Sequence, residues 1–404
     1  VLHTIDLIKR AFPEKWIIAG GVNARNRLPQ FFNAGADVVF LSESERVIIA
    51  FMEAICEKKP NLSLISGIAY RTPDGFTINK TKPTDFYWNL DELPMPAWDL
   101  LPLVRYWAIG RPHGGHFKPD QELRYASLTT TEGCLFQCSF CHRSGEILDS
   151  ISGPIGRFRR KSPERVLREI NVLKRLGVLQ VYLEDDMLFG MKKRAMELMR
   201  AIQGEGLFIS DVNGLNVIHM VNKQGQPDEE LLNLLCETGF NEIVLAFESA
   251  DPAILRQYAN NKWDPVHHNI TALIRACQAR GLRTGGNYMI GFPTETRSQI
   301  QQTLDMAQQH KDAGGPEYYV NVFIVMAPPG TALYNMAIKN GYLPPNFNPD
   351  LFNWNRAMLV NTVVPPQELE EIREHAWQTI NGQEFKEYKS SMNRGVAEAE
   401  QKCQ

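Results

Sequence analysis

The chain has no apolar run near the roughly 18–20 residues that cross a bilayer, and nothing at its start resembles a signal peptide. It also lacks internal repeats and low-complexity stretches. These absences exclude a membrane span and a solenoid, and they set the cytoplasm as the expected compartment. Charge of either sign is not in excess: 43 basic against 46 acidic residues leave a net charge of -3, so nothing global points to nucleic acid or an anionic membrane. Cysteine is scarce, with seven in 404 residues, which excludes a disulfide framework. Cys56, Cys236 and Cys277 sit in helical apolar patterns and read as small core residues, while Cys403 lies in a polar tail. The opening residue is Val1, already inside the helical pattern "LHTIDLIKRAF", so the sequence reads as the downstream part of a longer protein.

What is present is a soluble-protein composition, 44% hydrophobic and 22% charged, in a chain too long for one ordinary core. Residues 1–60 alternate helix and strand: "TIDLIKRAF", then "WIIAGG", "RLPQFFNAG", "DVVFL" and "SERVIIAFMEAICEKK". Two strands are half of a doubly wound parallel domain. Residues 61–120 hold a hairpin, "SGIAYRTPDGFTIN", and a proline- and aromatic-rich linker, "LDELPMPAWDLLPLVRYW". The alternation returns at 121–335, with strands expected at 125–130, 180–185, 208–217, 242–249, 283–291 and 318–326. Six strand–helix units of this length suggest a partial (β/α)6 barrel, with chemistry at the C-terminal ends of its strands. Residues 336–404 form a helical C-terminal segment. The fold class is therefore α/β throughout.

Cys134, Cys138 and Cys141 stand inside eight residues, "CLFQCSFC", directly after the first barrel strand. A structural zinc wants four ligands, and His142 could complete the set only by an awkward turn next to Cys141. A catalytic zinc keeps an open position, but three thiolates from one tight loop are unusual there. A four-iron, four-sulfur cluster held at three corners leaves one iron open to a further ligand, and this reading is preferred. Three adjacent acids, Glu184, Asp185 and Asp186, end the second strand and would repel one another without a cation or donor beside them. Glu248 and Ser249 end the fourth, where a carboxylate after "IVLAF" must find a partner or face a site. Gly286 and Gly291 flank the end of the fifth and allow close backbone approach. The basic run "RFRRKSPER" (157–165) reads as a solvated helix entry, and His113 and His116 flank the barrel entrance in a glycine-rich loop.

Cys134-x-x-x-Cys138-x-x-Cys141, with Phe140 before the last cysteine, resembles the signature of the radical S-adenosylmethionine (SAM) superfamily. The resemblance implies a [4Fe-4S] cluster on the three cysteines. The fourth iron would be chelated by SAM, and reductive cleavage would yield a 5′-deoxyadenosyl radical that abstracts hydrogen from an organic substrate. It further implies that Phe140, Asp185, Asp186, Glu248, Ser249, Gly286 and Gly291 contact the cofactor. The expected partners are a small-molecule substrate and a reductant protein such as flavodoxin or ferredoxin.

The front segments "FPEKWIIAGGVNA" and "DVVFLSESE", followed by the linker, resemble the subgroup that carries a flavodoxin-like cobalamin domain before a TIM-like radical SAM barrel. Gly20 and Gly21 match the segment near the cofactor's nucleotide tail. That resemblance implies methyl transfer through cobalamin or, as the alternative, a cyclase or oxidoreductase without methyl transfer. Two departures count against cobalamin here. No Asp-x-His-x-x-Gly cobalt-ligand motif is present, and a loop usually written Gly-Glu-Gly-Glu reads Ser42-Glu43-Ser44-Glu45. A zinc-binding scaffold without catalysis is the rival from another class.

Overall fold

The computed structural model describes residues 1–57, 60–109, 124–143, 153, 155–344 and 347–382. His113, His116 and Cys403 lie outside the described residues. Among those described, no helix is long and apolar enough to cross a membrane.

Short, nearly all-buried strands create the central sheet. β8 (Gln180–Leu183) is buried at every position, and β10 (Phe240–Glu248) at all but one. Strands this uniformly buried need cover on both faces, as parallel strands flanked by helices have. The sheet runs β12 (Tyr319–Ile324), β11 (Arg283–Ile290), β10, β9 (Phe208–Asn216), β8 and β5 (Tyr125–Leu128), all parallel and in sequence order. Its first and last strands do not pair, so this is an open, partial (β/α)6 barrel. The β12 edge is covered by the C-terminal segment. Asn381 accepts from Val320 N and donates to Val320 O, and Arg373 donates to Val322 O from the helix Pro366–Ile380. Such cover removes an unpaired edge that could recruit another strand.

Long-range ion pairs within the chain, such as Arg159 with Glu43, tie the preceding segments to the barrel. The front sheet has four strands: β1 (Ile18–Ala19), β2 (Val38–Phe40), β3 (Ile68–Thr72) and β4 (Gly75–Asn79). β1 and β2 are parallel, while the hairpin β3–β4 adds antiparallel to β2. The hairpin thus extends the front sheet across the boundary expected at residue 60. A small ribbon, β6 (Thr131–Glu132) with β7 (Arg159–Arg160), intervenes between β5 and the cysteines.

The run 157–165 is not a solvated helix entry. Arg159, Lys161 and Arg165 are buried. Arg159 pairs with Glu43 of the front loop, while Lys161 and Arg165 both meet the buried Glu169 at 2.7 Å. Arg165 also donates to the linker carbonyls of Asp91, Leu93 and Pro94. Burial of these charges is tolerable because each has a partner. Cys277 and Cys236 pack in or against the barrel core as expected, but Cys56 is exposed, because it falls just past the end of its helix.

Candidate functional site

Gly133 makes the turn that launches the cysteine loop. Its φ is +79°, and a Cβ there would stand 2.3 Å from the Arg157 carbonyl oxygen, so no other residue fits without rearrangement. Its N–H donates to Asp186 Oδ2 at 2.8 Å, and Cys134 N donates to Gly156 O. The middle of the loop is clasped by the segment after β10. Gln137 N donates to Asn260 Oδ1, Ser139 N to Tyr258 O, and Cys138 Sγ lies 3.5 Å from Ala259 O. Asn260 and Asn261 both adopt left-handed backbone there, which turns Lys262 back toward the cysteines.

The three cysteines line one cavity of about 170 Å³ together with Phe140, Asp185, Asp186 and Glu248. It is smaller than the ~300 Å³ typical of small-molecule sites, so a nucleoside-sized ligand would extend past it toward solvent. Burial pushes the Cys138 thiol up to about 12 and raises Cys134 as well. Metal binding by such thiols must release protons.

Glu248 is held in an unusual way. A bulge in the β10–β11 pairing falls at Ala246/Glu248, and Glu248 has φ +62°. Left-handed backbone at a non-glycine residue costs of order 1–3 kcal/mol and gathers at functional positions. The conformation places its carboxylate against the buried Lys262, whose Nζ donates to Glu248 Oε1. Burial works against the lysine's charge, but Glu248 and, behind it, Cys138 hold it above the ordinary lysine value.

The acids at the end of β8 divide their roles. Asp185 Oδ1 accepts from Thr130 N, Thr130 Oγ1 and Thr131 Oγ1, whereas its buried Oδ2 has no partner among the described residues. Asp186 forms an ion pair with Arg143 at 2.8 Å. Asp211 on β9 is pushed well above the ordinary carboxylate range by burial, with Asp185 adding to the effect. His219, in the short helical turn Val217–His219 after β9, is lowered to about 4 by burial and then by Lys192, and its buried Nε2 has no partner among the described residues. Two unsatisfied polar atoms, Asp185 Oδ2 and His219 Nε2, thus belong to residues of one cavity wall, which is the pattern of a site awaiting a polar ligand.

Three expected contacts are not brought to this cavity. Ser249 is fully buried and bonds instead with Thr303 Oγ1 and Asp251 N. Gly286 faces tyrosines: a Cβ there would stand 2.2 Å from the Tyr318 hydroxyl and 2.7 Å from the Tyr288 ring. Gly291 takes φ +86° at a turn where its N–H donates to Glu295, and it packs against Leu369. Gly286 within β11 and Ser249 and Gly291 just past their strands serve packing here. Gly286→Ala should therefore destabilise the fold by about 1–3 kcal/mol through overpacking, read as a lower urea midpoint. An unchanged midpoint would reassign Gly286 to open space.

Sequence reasoning missed Lys262, Asp211, Asn216 and His219, all on the cavity wall. The β9 stretch "DVNGLN" did carry a signal, since a glycine between two asparagines inside a strand marks a bulge. The β9–β10 register indeed shifts between Ile243 and Leu245. Among the described residues, no three of His, Cys, Asp and Glu are gathered closely enough to hold a single metal ion. A tetrahedral zinc needs its sulfurs within about 4 Å of one another. His142, the fourth ligand of the zinc reading, is not on the cavity wall.

Residues 128–307 match the radical SAM superfamily. The chain is 28% identical over 329 residues to an uncharacterized methyltransferase of Pyrococcus horikoshii, covering 81% of this chain and 62% of that protein. It is 25% identical over 379 residues to the cytidylyl-2-hydroxyethylphosphonate methyltransferase of Streptomyces wedmorensis, covering 85% and 65%. It is 26% identical over 311 residues to the anaerobic magnesium-protoporphyrin IX monomethyl ester cyclase of Rubrivivax gelatinosus, covering 76% and 51%. The chain therefore spans between 51% and 65% of these relatives' lengths. Among solved structures, the radical SAM methyltransferase TsrM of Kitasatospora setae, determined with cobalamin and a [4Fe-4S] cluster, is similar at TM-score 0.58 and 18% identity. That likeness covers 85% of this chain and 64% of TsrM, and it concerns the fold.

Proposed function

We propose that this chain, whose residues 128–307 match the radical SAM superfamily, is a radical enzyme that transfers a methyl group to a small organic substrate. The observation that carries this reading is one cavity shared by Cys134, Cys138, Cys141, Glu248 and Lys262 and by the unpartnered Asp185 and His219 atoms. The outcome of methyl transfer is supported by relatives named as methyltransferases. The cyclase relative supports ring closure as the second outcome of the same chemistry.

The donor set fits a [4Fe-4S] cluster, with Cys134, Cys138 and Cys141 at three irons. Cluster and SAM, when bound, supply the one-electron cleavage of the sulfonium that begins the radical reaction. The chain's own residues bind, orient and keep out water. Asp185 Oδ2, beside the buried Asp211, offers an acceptor to an ammonium or hydroxyl group. Glu248, anchored by Lys262, presents its second oxygen. His219 remains a neutral imidazole at working pH, able to hydrogen-bond without adding charge. Phe136, Phe140 and Leu188 give the cavity apolar walls that exclude water from a reactive species.

Cobalamin is bound in the solved structure of TsrM, whose fold this chain resembles. The stretch 1–60 holds no Asp-x-His-x-x-Gly motif, and Glu43 of the Ser42–Glu45 loop is engaged by Arg159. No step is routed through it. Anaerobic reconstitution with iron and sulfide, followed by SAM and dithionite, tests the proposal. About four irons per chain and release of 5′-deoxyadenosine or S-adenosylhomocysteine are expected. One zinc, no acid-labile sulfide and intact SAM would overturn it.

A further inference from the structure

Beside the ribbon β6–β7 lies an open depression of about 750 Å³, lined by residues other than those of the cysteine cavity. Its walls come from the linker (Trp88–Asp91), from β7 and the following turn (Phe158–Pro163), and from the start of the helix Lys192–Ile202. Five basic side chains reach it, and three are occupied. Arg159 is held by Glu43, Lys161 by Glu169, and Arg194 by the carbonyls of Thr130 and Lys161. Arg160 and Lys193 are exposed and form no ion pair among the described residues. Glu197 stands one turn after Lys193, and Asp91 is engaged by Ser162 N. The apolar part of the rim is exposed too, with Trp88 45% and Met191 42% accessible. A wide, shallow surface with free cations around exposed aromatic and thioether groups suits a protein face of opposite charge.

Its distance from the chemistry is short and filled. Gly190 lacks a Cβ, and one built there would lie 2.8 Å from the Phe158 ring and 3.1 Å from Met187 Sδ. Phe158 and Met187 therefore both close over the space where this glycine lacks a side chain. Met187 Sδ lies 4.0 Å from Cys134 Sγ. The depression, the Phe158 ring, the Met187 thioether and the Cys134 sulfur form one contiguous series.

We propose that this depression is the docking surface for an acidic protein that carries single electrons, and that the electron enters at Phe158 and Met187 on its way to Cys134. The inference rests on the radical SAM reading. In the step, the reduced donor loses one electron and a [4Fe-4S]2+ cluster on the three cysteines becomes [4Fe-4S]1+, with no atom or proton transferred. The free cations steer and orient the donor, so association weakens as ionic strength rises.

The test uses the R160E/K193E variant of the reconstituted chain, with a bacterial flavodoxin as probe. Binding of oxidised flavodoxin, measured by calorimetry at low salt, should weaken by about tenfold or more. The flavodoxin concentration needed for half-maximal turnover should rise in parallel, while turnover with dithionite stays at the wild-type level. Unchanged flavodoxin binding overturns the proposal, and so does equal loss with both reductants, which would make the patch structural. A wild-type protein that cleaves no SAM with dithionite overturns the enzyme reading instead, and the binding measurement still decides the docking surface.

Discussion

Cys138→Ala protein, reconstituted anaerobically, should retain less than about one iron per chain against about four in the parent, and should release no 5′-deoxyadenosine. Cys138 is the most enclosed of the three thiols, at 8% exposure, and is fixed from behind by Ala259 and by the Gln137 and Ser139 contacts with residues 258–260. A thiol so placed cannot be replaced by a neighbour, because Cys134 and Cys141 already occupy the other corners and the other described cysteines lie off the cavity wall. Alanine leaves the loop's backbone bonds intact, so the fold should survive and iron content report ligation alone. Cys277→Ala is the control. That thiol is likewise buried and pushed up to about 12, but it sits in the barrel core, so iron and activity should stay at wild-type levels. If Cys138→Ala keeps its iron, the cysteine cluster is not the metal site.

The sheet was readable because buried parallel strands betray themselves as short apolar runs, and "IVLAFE" or "YVNVFI" admits few other placements. The cysteine loop was readable because its spacing is local. The parts that were not readable depend on partners distant in sequence. Arg159 looked solvated because its partner Glu43 lies 116 residues away. Lys262 follows two left-handed asparagines in a loop without periodicity, so nothing local announces that its ammonium turns inward. Ser249, Gly286 and Gly291 show the converse ambiguity. A small residue at a strand end looks the same whether a ligand or a tyrosine ring fills the space beside it, and only the packing of Tyr318, Leu369 and Thr303 tells which.

Lys262→Met should destabilise the protein by about 3–5 kcal/mol, because it leaves Glu248 as a buried charge without its counter-ion. The left-handed backbone at Glu248 keeps the carboxylate from swinging out to water without rebuilding the end of β10. Pairing the change with Glu248→Gln should restore the urea midpoint to within about 1 kcal/mol of the parent, since a buried ion pair replaced at both ends is often neutral for stability. If stability were the only role of the pair, that double variant would behave as wild type in every respect. The site geometry predicts otherwise. The double variant lacks the cation beside Cys138 and Cys134 and the carboxylate facing the cavity, so its reconstituted cluster should bind SAM more weakly and turn over more slowly than the parent. Urea denaturation of both single variants and the double isolates the coupling energy. SAM-dependent change in the cluster's EPR signal then reads the site independently of folding. A double variant with parental stability and a parental EPR response would reduce Glu248–Lys262 to a structural pair. A Lys262→Met protein as stable as the parent would mean that Glu248 takes up a proton or finds another partner.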